Sequence, residues 1–242
     1  MSTKAAKLST VLKGTTFENR TLRLAREHLS MSLRRVGGAG DGGIDLQGWW
    51  WLPPECLHET LRAGVRVDGA APATRLAIRV LAQCKAEVKK TGPRHIREFE
   101  GTILRHSAYL TASENAGEPV HETRSAVIGL FASTSTFTKA SLLQAYSSPI
   151  PLALMHLPEL PDLPTTSPEA AAEDAVESES SPGENALTGT LLFNPALSGA
   201  SGLLCGKVEP RWERSADGLA GRPGLWCEGQ RLESWTPEDS GE

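Results

Sequence analysis

The sequence predicts an α/β protein with a mixed central β-sheet flanked by helices and a small β-rich extension at the C-terminal end. Apolar residues recur at helical spacing in some segments, and apolar, β-branched runs of strand length lie between them. No apolar run approaches the ~20 residues of a bilayer span, so we expect no membrane span. A chain of 242 residues with 39% hydrophobic residues can bury a sizeable core.

Periodicity places the individual elements, and Gly and Pro residues separate them. Helices are expected at residues 16–35, 95–109 and 138–147, with a short helix at 55–62. Strands are expected at residues 44–52, 75–85, 125–133 and 150–157. The last strand, helix and strand form the kind of unit that builds a parallel or mixed sheet.

Charge and composition divide the chain into four parts. Residues 1–15 are basic and rich in hydroxyl residues, which is typical of an organelle transit segment and equally of a floppy terminus. A domain is expected at 16–158, an acidic, disordered linker rich in Pro, Ser and Glu at 159–188, and a β-rich extension at 189–242. Residues 1–157 carry a formal charge of +7 and the remainder carries −11. The basic part suits a polyanion partner, although an ordinary solvated surface explains it as well.

The four cysteines, Cys56, Cys84, Cys205 and Cys227, are far apart in the sequence. None of them has the CxxC spacing of a zinc finger or a thioredoxin-like redox site. The sequence therefore predicts isolated, reduced thiols.

A glycine-rich stretch, GAGDGGID at residues 38–45, puts Asp45 at the start of the first predicted strand. Glycine adopts positive φ and lets another backbone approach closely, so we expect a tight turn that presents Asp45. A dinucleotide-binding loop is excluded, because its glycines follow a strand and these precede one.

A second polar group, Gln83-Cys84-Lys85, ends the next predicted strand. Because strand side chains alternate between faces, Gln83 and Lys85 share one face and Cys84 points to the other. If the two strands are antiparallel neighbours, the Asp45 carboxylate, the Gln83 amide and the Lys85 ammonium meet at one point. That combination would hold a hard divalent cation beside a phosphate.

The predicted catalytic residues are Glu18, Asp45, Gln83 and Lys85, and the predicted cofactor is Mg²⁺, with Mn²⁺ as an alternative. Asp45 and Gln83 would ligate the metal, and Glu18 in the first helix would supply an extra acid for the metal or its water. Lys85 would orient the attacking water and stabilise charge on the phosphorane.

Basic residues follow the predicted site closely, at Lys89, Lys90, Arg94 and Arg97. We interpret them as nucleic-acid-binding residues that contact phosphates, and the alternative is the solvated start of a helix. Among Trp49, Trp50 and Trp51, at least one is expected in the core, and another would stack on a base or cover the insertion at residues 53–73.

The order of these motifs resembles the Mrr-like restriction endonuclease branch of the PD-(D/E)XK nuclease superfamily. The likeness rests on Glu18, on GAGDGGID, on QCK at residues 83–85, on PRHIREFEG at 93–101 and on GLFASTSTFTKASLLQAYSSPIPLALMHL at 129–157. The basic N-terminal stretch, the long insertion and the segments FNPAL and LWCEGQRL are similar to a fungal mitochondrial family named as required for respiratory growth.

The resemblance implies a restriction-endonuclease-like core, a mitochondrial location and a metal-dependent DNA endonuclease acting in genome maintenance or respiratory competence. Gln83 stands where the common motif has an acid, so a catalytically inactive nucleic-acid-binding or assembly factor is the alternative. The same phosphoryl chemistry serves RNA as well as DNA. The oligomeric state is open, and a homodimer is one option.

Overall fold

The computed structural model describes residues 2–36, 42–58, 66–68, 75–114, 126–159, 188–214 and 221–237. The helices are α1 (Ser2–Leu29), α2 (Pro93–Glu114), α3 (Lys139–Tyr146) and α4 (Pro195–Ser198), with a 3₁₀ turn at Pro54–Cys56. The strands are β1 (Met31–Arg35), β2 (Leu46–Leu52), β3 (Arg66–Asp68), β4 (Arg75–Lys85), β5 (Val127–Ser133), β6 (Leu152–His156), β7 (Thr190–Phe193), β8 (Val208–Glu213), β9 (Arg222–Cys227) and β10 (Gln230–Arg231).

Seven strands form a mixed sheet in the order β1-β2-β4-β5-β6-β7, with β3 also paired to β4. The pairs β4–β5 and β5–β6 are parallel, and the other pairs are antiparallel. Helix α1 covers one face through Phe17, Ala25 and Leu29. Helices α2 and α3 cover the opposite face. These observations confirm the predicted mixed α/β class.

The first predicted helix is wrong at its C-terminal end, because α1 ends at Leu29 and residues 31–35 form β1. Ser30 turns the chain with a φ of 57°, and Ser234 and Trp235 hold it through two hydrogen bonds. Leu29 and Leu33 fit a helical spacing, but these tertiary contacts and the pairing of β1 with β2 decide the conformation. At the other end, α1 begins at Ser2, upstream of the predicted start.

The remaining predicted elements of the main sheet lie within a few residues of the observed ones. Of the predicted short helix at 55–62, residues 55 and 56 belong to the 3₁₀ turn, and the part beyond residue 58 lies outside the described residues. Trp50 and Trp51 are buried in the core, as expected for at least one of the three tryptophans. Trp49 is half-buried, with the Arg79 guanidinium 5.1 Å from its ring centre.

The C-terminal segments pack back on the domain. Strand β7 extends the main sheet beside β6, and β8, β9 and β10 form a separate three-stranded sheet. Asn194 connects the two parts of the chain: its Nδ2 donates to the Ala145 and Ile150 carbonyls, and its Oδ1 accepts from the Leu152 N–H. The predicted linker at 159–188 falls almost wholly outside the described residues, so the domain boundaries remain predictions.

Two expectations concern the whole chain. Among the helices that the structure describes, none is long and apolar enough to cross a bilayer. The expectation of isolated thiols is wrong for Cys56 and Cys227, whose sulfur atoms lie 3.0 Å apart because the C-terminal sheet packs over the 3₁₀ turn. All four cysteines are reduced.

Candidate functional site

Strand pairing brings Asp45 to the end of β4. β2 runs antiparallel to β4 with Leu46 opposite Ala82, so the condition set for the predicted site is met by the strand pair. Asp45 precedes β2 by one residue, and its N–H donates to the Ala82 carbonyl at 2.9 Å. Its Oδ2 accepts a hydrogen bond from the backbone N–H of Cys84 at 2.6 Å. The carboxylate is therefore held against the backbone of Cys84, which lies between Gln83 and Lys85 in the sequence.

The alternation along β4 places Gln83 and Lys85 on the face that α2 covers. Gln83 lies opposite Phe131 of β5, which belongs to the core cluster beneath α2, whereas Cys84 packs with the cluster beneath α1. The Lys85 Nζ lies 3.2 Å from Glu87 Oε1, and its side chain is 29% exposed. The ammonium is thus reachable from solvent and close to a second carboxylate.

Helix α2 fixes the glycine turn that carries Asp45. Gly42 and Gly43 adopt positive φ of 66° and 89°, as the sequence predicts for this turn. The Gly42 carbonyl accepts hydrogen bonds from Thr102 Oγ1 at 3.0 Å and from Arg105 Nη2 at 3.1 Å. A Cβ built on Gly43 would lie 3.6 Å from Gln83 Nε2, so the turn also adjoins Gln83.

Sequence reasoning missed Thr102 and Arg105. Both side chains act on a backbone carbonyl 60 or more positions away, and such contacts leave no pattern in the sequence. Glu98, on the same helix, was missed as well. Its pKa is lowered by the hydrogen bond and charge of Arg94, with further contributions from His95 and Lys85. Lys85 therefore lies in the field of two carboxylates, those of Glu87 and Glu98.

Glu18 approaches the site from the opposite side of the sheet. It lies on α1, and its Oε2 forms an ion pair with Arg35 Nε at 2.7 Å. Burial raises the pKa of the Cys84 thiol, and the negative charges of Asp45 and Glu18 raise it further. Both carboxylates are therefore close enough to Cys84 to act on the pKa of its thiol. Within the described ranges, no group of three or more His, Cys, Asp and Glu side chains is arranged to hold a metal.

The donor types at this end of the sheet are those that a hard cation prefers. Asp45 offers a carboxylate, and Gln83 offers a neutral amide oxygen across the strand pair. Mg²⁺ prefers oxygen ligands and commonly retains several waters, so one carboxylate and one carbonyl oxygen suit it. Mn²⁺ takes the same donor types. The Glu18 carboxylate is engaged with Arg35, so it would have to leave that ion pair to take part.

The four predicted nucleic-acid-binding residues lie just beyond β4 in two settings. Lys89 and Lys90 are exposed on the connection to α2, which Ser135 Oγ anchors through the Lys89 carbonyl at 2.8 Å. Arg94 and Arg97 are exposed in the first turns of α2, where Arg94 pairs with Glu98 at 2.6 Å.

Two further arginines lie at the same end of the sheet and were assigned to a helix from the sequence. Arg34 and Arg35 end β1, and both side chains are exposed. Arg35 pairs with Leu46 in the strand ladder, next to Asp45. The corrected helix boundary thus places Arg34 and Arg35 on the strand beside β2, at the end of the sheet where Asp45 lies.

Curated relatives are similar to part of the chain. An uncharacterized mitochondrial protein of Schizosaccharomyces pombe is 29% identical over 154 residues, 64% of this chain and 48% of the relative. Required for respiratory growth protein 7 of Candida glabrata is 35% identical over 128 residues, 43% of this chain and 50% of the relative. The Saccharomyces cerevisiae protein of the same name is 32% identical over 117 residues, 39% of this chain and 48% of the relative.

The chain spans about half the length of these relatives. All three are named as mitochondrial proteins, which confirms the predicted mitochondrial location. No solved structure matches the chain. The family model described as required for respiratory growth protein 7 matches residues 9–181, well over half of the sequence. The chain therefore belongs to the family of required for respiratory growth protein 7.

Proposed function

We propose that this chain is a metal-dependent endonuclease that hydrolyses phosphodiester bonds of DNA in mitochondria, built on the Mrr-like PD-(D/E)XK plan. The observation that carries the proposal is the position of Asp45, whose carboxylate accepts from the N–H of Cys84 at 2.6 Å, between Gln83 and Lys85. A carboxylate, an amide oxygen and an ammonium at adjoining strand ends are the groups that this hydrolysis needs. The names of the relatives, which give a requirement for respiratory growth, support a mitochondrial role.

In the proposed reaction, Asp45 and Gln83 are the residues that would hold Mg²⁺ at the strand ends. The bound cation would polarise the scissile phosphate as a Lewis acid. Lys85 orients the attacking water and stabilises the negative charge that develops on the phosphoryl oxygens. Thr102 and Arg105 act as positioning residues, because they fix the Gly42 carbonyl and with it the turn leading to Asp45.

Basic side chains on both sides of Asp45 support a nucleic-acid substrate. Arg34 lies on the β1 side, where the neighbouring Arg35 is paired with Glu18, and Lys89 and Lys90 lie on the connection after β4. A phosphate backbone crossing this end of the sheet would meet positive charge before and after the metal ligands. Contacts of this kind hold the substrate without reading its sequence.

A catalytically inactive nucleic-acid-binding factor is the second candidate. The observation that favours it is the donor set, because Gln83 supplies no charge and Glu18 is paired with Arg35 at 2.7 Å. A site with a single carboxylate would bind divalent metal weakly. The basic residues around Asp45 would keep their contacts with phosphates in either case.

Cleavage of supercoiled plasmid DNA with Mg²⁺ or Mn²⁺ tests the proposal. We expect metal-dependent nicking, and a loss of at least about 100-fold in the Asp45→Asn and Lys85→Met variants. Asp45→Asn retains an oxygen that accepts from the Cys84 N–H and removes only the charge, so it separates catalysis from folding. Glu209→Gln, an exposed change on β8, is the matched control and should leave cleavage unchanged.

The outcomes separate the two candidates. Cleavage that survives both site substitutions would contradict the assigned residues. DNA binding that depends on Lys89 and Lys90, without cleavage under any metal condition, would favour the inactive factor. A parallel single-stranded RNA substrate reports whether the phosphodiester bond is cut in RNA as well.

A further inference from the structure

Two thiols from distant parts of the sequence meet between the main sheet and the C-terminal sheet. The Cys56 and Cys227 sulfur atoms lie 3.0 Å apart, although 171 positions separate the two residues. Cys56 ends the 3₁₀ turn after β2, and Cys227 ends β9. A covalent bond here would connect the two sheets directly.

Neighbouring contacts hold the two thiols in this arrangement. The His58 N–H donates to the Leu203 carbonyl at 3.2 Å, and Lys207 Nζ donates to the Glu55 carbonyl at 2.9 Å. Cys227 itself is fixed by pairing with Val208 in the β8–β9 ladder. The segment around Cys56 is therefore hydrogen-bonded to the C-terminal part of the chain on both sides of the cysteine. The backbones that carry the two thiols are held in place by these bonds.

Both thiols are buried, and Cys227 is the less enclosed of the two. Cys56 is fully buried at 0% exposure, and Cys227 is 9% exposed. Burial and the hydrogen bond with Cys227 raise the pKa of Cys56, so its thiolate is rare at neutral pH. A small oxidant would therefore meet Cys227 first, with Cys56 in place to react with the product.

We propose that Cys56 and Cys227 form a reversible disulfide that fastens the C-terminal sheet to the main sheet, with glutathione disulfide or a similar small disulfide as the oxidant. The Cys227 thiolate attacks one sulfur of the oxidant, forms a mixed disulfide and expels one glutathione thiolate. The Cys56 thiolate then attacks the Cys227 sulfur, forms the protein disulfide and expels the second glutathione thiolate. Both cysteine protons end on the two released glutathione thiols, so two cysteines are oxidised and one small disulfide is reduced.

Peptide mapping of the full chain tests the pairing. The protein is incubated with glutathione disulfide, its free thiols are alkylated in denaturant, and peptides are analysed by mass spectrometry without reduction. We expect a peptide linking Cys56 to Cys227, with a loss of two hydrogens, and alkylation of Cys84 and Cys205. A link involving Cys84 or Cys205, or mixed disulfides alone, would overturn the proposal.

Thermal unfolding tests the tether. Because the bond closes a loop of 171 positions, oxidation should raise Tm by roughly 10 °C, and a dithiol reductant should reverse the shift. Cys227→Ser should abolish the shift, whereas the matched control Cys205→Ser should retain it. If the disulfide forms and Tm does not change, the bond does not stabilise the packing of the C-terminal sheet on the main sheet, and the proposal is wrong. The mapping on the unaltered chain keeps the pairing testable even if Cys227→Ser fails to fold.

Discussion

The two ends of the β2–β4 strand pair belong to one hydrogen-bonded ladder, but their side chains differ in burial and polarity. At what we call the buried end, Leu52 lies opposite Leu76, and both are at most 3% exposed beneath the C-terminal sheet. At the polar end, Asp45 adjoins Gln83 and Lys85, which are half-buried. The same strand pairing thus supplies stability at one end, where apolar area is removed from water, and leaves polar side chains partly open to solvent at the other.

The largest expected effect is the loss of stability from a truncation at the buried end. Leu52→Ala should lower the free energy of unfolding by about 3–4 kcal/mol, because Leu52 is 0% exposed and its neighbours cannot fill the cavity. Gln83→Ala at the polar end should cost less than about 1 kcal/mol. Urea unfolding of both variants gives the comparison. Equal costs would mean that the polar end belongs to the core.

The next effect lies midway along β2, at Gly48. A Cβ there would come within 2.0 Å of the Ser32 carbonyl oxygen, a backbone atom of β1 that cannot turn aside. Gly48→Ala should therefore cost about 2–3 kcal/mol by forcing β1 away from β2. The control is Gly101→Ala in α2, where an added Cβ would meet no atom within 4 Å beyond its chain neighbours and its own helix backbone, and a gain of up to about 1 kcal/mol is expected. A neutral Gly48→Ala would show that β1 moves freely.

A smaller effect is expected where α2 supports the polar end. Thr102→Val keeps the shape of the side chain and removes the hydrogen bond to the Gly42 carbonyl. We expect a loss of about 1 kcal/mol in stability and, if the proposed function is correct, about 10-fold slower cleavage, because the turn carrying Asp45 loses one tether. Thr136→Val, an exposed change outside this contact, is the control. Unchanged cleavage would remove Thr102 from the positioning residues.

Local patterns accounted for much of the sheet and for the strands that meet at the polar end. The apolar alternation of β4 and the glycine turn before β2 identified the two strand ends that carry Asp45 and residues 83–85, because both signals are short-range and period-specific. The pairing of these strands was only a condition in the sequence, and the fold supplies it. The same reasoning misplaced Met31–Arg35, since Leu29 and Leu33 fit a helix as well as a strand. The left-handed Ser30, held by Ser234 from the C-terminal end, settles that choice.

Contacts between distant positions escaped sequence reasoning for one physical reason. A single hydrogen bond or ion pair constrains two residues and imposes no repeat on the chain. The pairing of Glu18 with Arg35, the support of Gly42 by Thr102 and the meeting of Cys56 with Cys227 are all of this kind. Each depends on which faces of α1, α2 and the C-terminal sheet come together, so each could be read only from the assembled fold.

The smallest expected effect is a pH dependence of stability that comes from a histidine at the polar end of the sheet. His156 ends β6, in a strand ladder that places it opposite Ser133 and, through β5, in line with Lys85 at the polar end. Burial lowers the pKa of His156 from the ordinary value of 6.5, and the charge of Arg20 lowers it further, against a backbone hydrogen bond with Thr134 that raises it. The unfolded chain therefore takes up the proton at higher pH than the folded chain does. The contribution of His156 to the free energy of unfolding should be fully present above about pH 6.5 and should be lost as the pH drops below it.

Urea unfolding of His156→Gln between pH 5 and pH 8 measures this contribution. The variant should lose less stability on acidification than the unaltered chain, because one group that binds protons preferentially in the unfolded state is gone. Leu52→Ala at the buried end exchanges two side chains that do not ionise, so it should lower the free energy of unfolding by the same amount at every pH in this range. If His156→Gln keeps the full decline, the decline comes from other histidines whose pKa burial lowers, His28 and His106.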